Sequence, residues 1–122
     1  MKTVAVIGAS SDRNKFGNKA LRAFRSEGYN VIPVNPNESE VEGLRTYASV
    51  LDVPGTIDMA TVYVQPDVVM TLLDGFEKKG IGEIWVNPGA ESDELMAEAH
   101  RRKLNMIYAC SIVGIGRSPW QF

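Results

Sequence analysis

"VAVIGASSDRNKFGNKAL", residues 4–21, opens as a β-branched apolar run and breaks at Gly8. Small polar residues follow. Gly17, Ala20, Leu21 and Phe24 then recur at i, i+3, i+4 and i+7, with Lys19, Arg22 and Arg25 turned to the other side. A buried strand, a glycine bend and an amphipathic helix make the opening of a phosphate-cradling unit, because backbone N–H groups near a helix start converge on an anion. The helix proper is expected to begin late, around Asn14–Gly17, leaving Asp12 to Phe16 as a loop. Gly17 either permits close helix–strand packing or lets a ligand approach the backbone.

Working outward, strand-like segments recur at Thr3–Ile7, Val31–Val34, Ala60–Val64, Ile84–Val86 and Met106–Ala109. Val69, Leu72, Leu73 and Phe76 repeat the helical spacing, with Pro66 and Asp67 suited to that helix's start and Lys78, Lys79 and Gly80 to its end. Ser92 is the expected cap of the next helix, where Asp93 and Glu94 complement the positive end of the dipole. This alternation predicts an α/β fold in one domain over residues 1–122. Its centre is a doubly wound, Rossmann-like open parallel sheet of about five strands, with helices on both faces. Segment 38–58 shows little beyond one short helix near Tyr47–Leu51. The tail "CSIVGIGRSPWQF", residues 110–122, does not read as another strand–helix unit. Its Trp120 and Phe122 either pack back on the core or meet a protein partner, a second copy of the chain among the candidates.

Composition narrows the function classes. With 122 residues and 44% hydrophobic content, the chain can bury a core without disulfide or metal staples. A formal net charge of −2 gives no bulk attraction to nucleic acid or an anionic membrane. There is no apolar run of spanning length and no signal-peptide pattern. The single cysteine, Cys110, precludes an internal disulfide and suits a reducing cytoplasm. The single histidine, His100, leaves no His/Cys metal cluster to assemble.

In an open parallel sheet, ligands bind beyond the carboxyl ends of the strands. Here the first strand runs into Gly8-Ala9-Ser10-Ser11, and three others end in Asn35-Pro36, Gln65-Pro66 and Asn87-Pro88-Gly89. An amide followed by proline is a common strand terminator. Three on one rim, beside a small-residue phosphate turn, make a stiff binding cleft the better account. The backbone and hydroxyls of Ser10 and Ser11 are candidate phosphate donors, and Arg13 and Lys15 are available to a more distal phosphate. A nicotinamide-dinucleotide site wants G-x-G-x-x-G and an acid ending the second strand. This chain offers Gly8-Ala9-Ser10, its next glycine at Gly17, and an asparagine at the strand end. NAD is disfavoured on both counts. NADP, in an oxidoreductase or redox-sensing subunit, is the alternative, although no arginine follows that strand immediately.

The segments "VAVIGAS", "GYNVIPVNP", the Gln65-Pro66 pair and "IWVNPGAESDE" together resemble the CoA-binding domain family, the stand-alone relatives of the N-terminal domain of succinyl-CoA synthetase alpha subunits. The resemblance spans nearly the whole chain and implies coenzyme A or an acyl-CoA as cofactor. Carried over by position, it implies that Gly8, Ala9, Ser10 and Ser11 hold the pyrophosphate and that Pro33, Val34, Asn35 and Pro36 flank the adenosine. Val64, Gln65 and Pro66 would line the cleft, and Asn87, Pro88 and Gly89 would lie toward the pantetheine end. Cys110 matches a cysteine common in the stand-alone proteins and is a candidate contact for the CoA thiol, against the plainer role of a small core residue. One departure concerns charge. Relatives often carry a basic residue after the "NP" to meet the ribose 3′-phosphate, whereas this chain has Asn37-Glu38-Ser39-Glu40. Either Arg13, Lys15 or Lys19 supplies that charge instead, or CoA affinity is weak or the ligand differs.

No catalytic constellation emerges. His100, in "EAHRRK", falls on the polar side of a helix away from the rim. The phosphorylated histidine of the ligase relatives belongs to a separate domain. The expectation is therefore a non-catalytic binding module.

Overall fold

The computed structural model describes residues 1–122. Strands β1 (Thr3–Ile7), β2 (Asn30–Val34), β5 (Met59–Val62), β6 (Glu83–Val86) and β7 (Met106–Tyr108) form one parallel sheet in the order β2-β1-β5-β6-β7. The short strands β3 (Glu40–Val41) and β4 (Leu44–Arg45) pair separately as an antiparallel hairpin. The expected doubly wound fold is thus present. Its strands agree with the sequence reading to within two residues, the largest difference being β5, which ends at Val62 and leaves Tyr63 and Val64 in the following loop.

Side-chain alternation explains the two layers of helix. In β1, Val4 and Val6 pack with helix α1 (Phe16–Ser26), while Ala5 and Ile7 pack on the opposite face with α2 (Pro66–Lys79). Helix α1 buries Ala20, Leu21 and Phe24, and α2 buries Val69, Leu73 and Phe76, the stripes expected from their spacing. Proline opens α2, and Gly80, at φ 68°, closes it in the left-handed conformation. Helix α3 (Asp93–Arg101) lies beside α2 and is capped by Ser92, whose Oγ accepts from the Leu95 N–H at 3.1 Å. His100 is exposed, as expected.

Two segments differ from the sequence reading. Between β2 and β5 the chain forms the hairpin and a 3₁₀ turn at Val50–Asp52, later than the helix expected near Tyr47–Leu51. Glu42 and Gly43 both have positive φ, the backbone of a tight two-residue hairpin turn. The tail forms a single helical turn, α4 (Ser111–Gly114), then a 3₁₀ turn at Pro119–Gln121. Phe122 packs back beside α1 under the guanidinium groups of Arg22 and Arg117, whereas Trp120 is 87% exposed.

Candidate functional site

Setting the hairpin aside, the main strands run 2-1-3-4-5 across the sheet, so connections leave in opposite directions between β1 and β5. That switch point opens a crevice at the carboxyl ends of the strands, where α/β sheets bind ligands. Gly8 sits at its floor with φ 87°, and a Cβ there would meet Val64 Cγ1 at 2.9 Å. Gly17 brings α1 against the turn: its Cβ would fall 2.3 Å from the Gly8 carbonyl oxygen. Of the two readings of Gly17, close helix packing is thus built into the backbone. Buried Asn18 fastens the turn from below, donating from Nδ2 to the Ser10 carbonyl at 2.9 Å and accepting from Arg22 Nε at 2.7 Å.

The start of α1 is left available to an anion. Lys15 stands at its N-cap without a capping side-chain bond, and no acid lies in its first turn. The N–H groups of Phe16 and Gly17, with that of Ser10 in the preceding turn, donate to no acceptor in the chain. Together with the dipole of the helix, these donors form a local positive field.

Two grooves meet at Gly8, Asn35 and Val64. The apolar lobe, about 510 Å³, runs between the end of β2 and α2, walled by Val34, Leu51, Val68 and Leu72. Leu51 and Val68 are 50% and 41% exposed, apolar surface that a flat ligand would cover. The polar lobe, about 600 Å³, runs past Ser10, Lys15 and Phe16 to Gln65, Pro88 and Gly89.

The sequence-derived candidates therefore separate. Gly8, Ser10, Lys15, Gly17, Val34, Asn35, Pro36, Val64, Gln65, Pro88 and Gly89 line one lobe or both. Asn35 also ties the rim, donating from Nδ2 to the Ala9 carbonyl at 2.8 Å and accepting from the Asn37 N–H at 2.9 Å. Ala9 and Pro33 are buried and line neither lobe. Ser11 is not free for a phosphate: its N–H and hydroxyl donate to the Glu38 carboxylate at 2.5 and 3.2 Å. Arg13 is turned to Glu42, Nε to Oε2 3.8 Å, and the Lys19 ammonium lies over the Phe16 and Trp120 rings. Of the three cations considered, Lys15 alone lines the crevice.

Three further positions lie outside both lobes. Pro66 is on the far side of the α2 start, beside Asp67 and Ser92. Cys110 is half-buried against the α1-side core and lines neither lobe. Asn87 is buried and fully engaged: Nδ2 donates to Thr61 Oγ1 at 2.7 Å and the Val62 carbonyl at 3.1 Å, and Oδ1 accepts from the Ser111 N–H at 2.9 Å. The Ser111 and Thr61 hydroxyls are 2.7 Å apart, and the Tyr63 hydroxyl lies 3.1 Å from Ser111. Burial pushes the Tyr63 phenol above its ordinary pKa of 10.0, against the opposing pull of its hydrogen bonds to Ser111 and Thr61. This network joins the ends of β5, β6 and β7 into a floor, and of its members only Tyr63 also lines the polar lobe. Sequence reasoning missed Asn18, Leu51 and Val68, and had Phe16 only as the end of the Asp12–Phe16 loop. Leu51 and Val68 carried a signal, as apolar residues outside the helical stripes.

A family model for a CoA binding domain matches residues 2–115. The chain belongs to the CoA binding domain family. Among its relatives is the acetate–CoA ligase [ADP-forming] II subunit alpha of Pyrococcus furiosus, 35% identical over 115 residues, covering 85% of this chain and 25% of the ligase subunit. The acetate–CoA ligase [ADP-forming] of Methanocaldococcus jannaschii is 32% identical over 115 residues, covering 93% of this chain and 16% of that protein. This CoA binding domain thus spans a quarter or less of the length of those two curated relatives. A conserved hypothetical protein from Pyrococcus furiosus of solved structure superposes with a TM-score of 0.85 at 32% identity, covering 93% of this chain and 99% of its own.

Proposed function

We propose that this CoA binding domain holds coenzyme A or an acyl-CoA along the crevice as a non-catalytic binding module. The observation that carries this reading is the meeting of an apolar lobe with an uncapped helix start at Gly8. Adenine is a flat aromatic base whose ring faces fit the lobe between Leu51 and Val68. The diphosphate suits the free N–H groups of Ser10, Phe16 and Gly17 beside the Lys15 ammonium. The pantetheine arm would follow the polar lobe past Gln65 toward Pro88 and Gly89, whose wall offers an amide and open backbone to its peptide-like groups. No pair of acid and base side chains faces this path: the ionisable groups in the two lobes are Asp74, Lys15 and the half-buried Tyr63. That favours binding over chemistry.

Thermal unfolding with CoA, acetyl-CoA, NAD, NADP and ATP tests the reading. A ligand at 100 times its Kd adds about 2.7 kcal/mol, which raises Tm by about 10 °C for a chain of this size. CoA or acetyl-CoA is expected to give the largest rise. Stabilisation by NADP without stabilisation by CoA would overturn the assignment.

A further inference from the structure

We infer that Glu38 sets the specificity of the adenosine end, so that the crevice prefers a nucleotide whose ribose carries no phosphate monoester. The inference rests on the CoA reading and refines it. A ribose joining a base in the apolar lobe to a diphosphate at the α1 start must lie where the lobes meet, beside Gly8 and Asn35. Glu38 stands beside that junction, its N–H donating to the Asn35 carbonyl at 3.3 Å. It follows the end of β2 and Asn37, and its carboxylate reaches back to the phosphate turn, taking the N–H and hydroxyl of Ser11 at 2.5 and 3.2 Å. The carboxylate is therefore held in place rather than free to swing away.

No cation offsets it on that side. The apolar lobe is lined by no lysine or arginine, and its one ionisable residue is the acid Asp74. Arg13 is directed to Glu42, Arg25 donates to the Glu42 carbonyl, and Arg45 stacks over Tyr47. Lys15 belongs to the polar lobe on the other side of the junction. In sheets of this kind an acid after the second strand accepts from ribose hydroxyls, whereas a phosphorylated ribose calls for an arginine. A 3′-phosphate brought to this junction meets a carboxylate of like charge and no compensating cation.

The test is isothermal titration of the full chain with CoA and dephospho-CoA, repeated for Glu38→Gln and Glu38→Lys. The wild-type protein is expected to bind dephospho-CoA at least about threefold more tightly, a margin that shrinks with added salt as exposed charges are screened. E38Q keeps an acceptor for the Ser11 N–H but removes the charge, and should bring the two affinities together. E38K should shift the ratio toward CoA by about tenfold relative to wild type. Wild-type CoA binding equal to or tighter than dephospho-CoA, or a preference that E38Q leaves intact, overturns the role of Glu38 while leaving the CoA assignment standing. Binding of neither nucleotide overturns the assignment itself, and this inference with it.

Discussion

Replacing Gly17 with alanine sets two effects of opposite sign against each other. Alanine is the better helix former by about 1 kcal/mol in a helix interior, and by less at the second residue of α1. The added Cβ, however, would stand 2.3 Å from the Gly8 oxygen and 3.3 Å from Ala9 Cα, with the first contact about 1 Å inside ordinary van der Waals range. Both neighbours are backbone, so no flexible side chain can absorb the overlap. Either α1 retreats from the sheet or the Gly8 turn moves, at a cost of about 1–3 kcal/mol. The clash should win, with a net loss of about 1–2 kcal/mol and a fall in Tm of about 4–8 °C. Gly75→Ala is the matched control. Its Cβ meets only side-chain carbons at 3.6 Å or more, in the interior of α2, so it should gain up to about 1 kcal/mol. Denaturant unfolding of both variants measures this, and titration with CoA reads the consequence for the site. G17A should weaken CoA binding by about tenfold or more, because the amides of Phe16 and Gly17 move with the clash. A G17A protein as stable as wild type with unchanged affinity would refute the claim that this contact shapes the site.

Asn87→Ala should cost about 2–4 kcal/mol by denaturant unfolding, since it strands the Ser111 N–H in the interior and leaves the Thr61 hydroxyl with only the Ser111 hydroxyl as partner. The Tyr63 phenol has a folded-state pKa raised by burial, so its contribution is fully present below the ordinary value of 10.0 and is lost as pH rises past it. Wild-type stability should accordingly fall more steeply above pH 10.0 than that of Tyr63→Phe. Glu98 shows the opposite sign: hydrogen bonds from Arg101 and Arg102 hold its carboxyl down to about 2, below an ordinary 4.5. Its stabilisation is present above pH 4.5 and disappears as pH falls through about 2, so the urea midpoints of wild type and Glu98→Gln should converge on acidification.

The parts of the molecule legible in the sequence are those where local pattern and tertiary role coincide. The apolar stripes of α1 and α2, the Gly8 bend and the Ser92 cap each carry a short-range signature, and each is where it was expected. The three amide–proline strand ends look alike in sequence yet have three different roles. Asn35 ties two loops together, Gln65 lines the crevice, and Asn87 is built into the floor. Burial decides between them: Asn87 follows the last residue of β6 directly and is buried, whereas Gln65 lies beyond the end of β5 at Val62 and is exposed. The hairpin at 40–45 escaped notice because its two-residue turn is Glu42-Gly43, not the usual Asn-Gly or Asp-Gly. The outer wall of the apolar lobe escaped notice too, since Leu51 reaches the crevice only through the packing of the 3₁₀ turn at Val50–Asp52 against α2. The charge at Glu38 was visible, but its grip on Ser11 was not, because that contact joins loops 27 residues apart.

The most direct test of the site is the amide chemical-shift map of isotopically labelled protein titrated with CoA. Binding along the crevice predicts the largest changes at Gly8, Ser10, Phe16 and Gly17, with a second group at Leu51, Val68, Gln65 and Gly89. Changes confined to α3 or to the exposed tail around Trp120, with residues 8–17 unmoved, would contradict it.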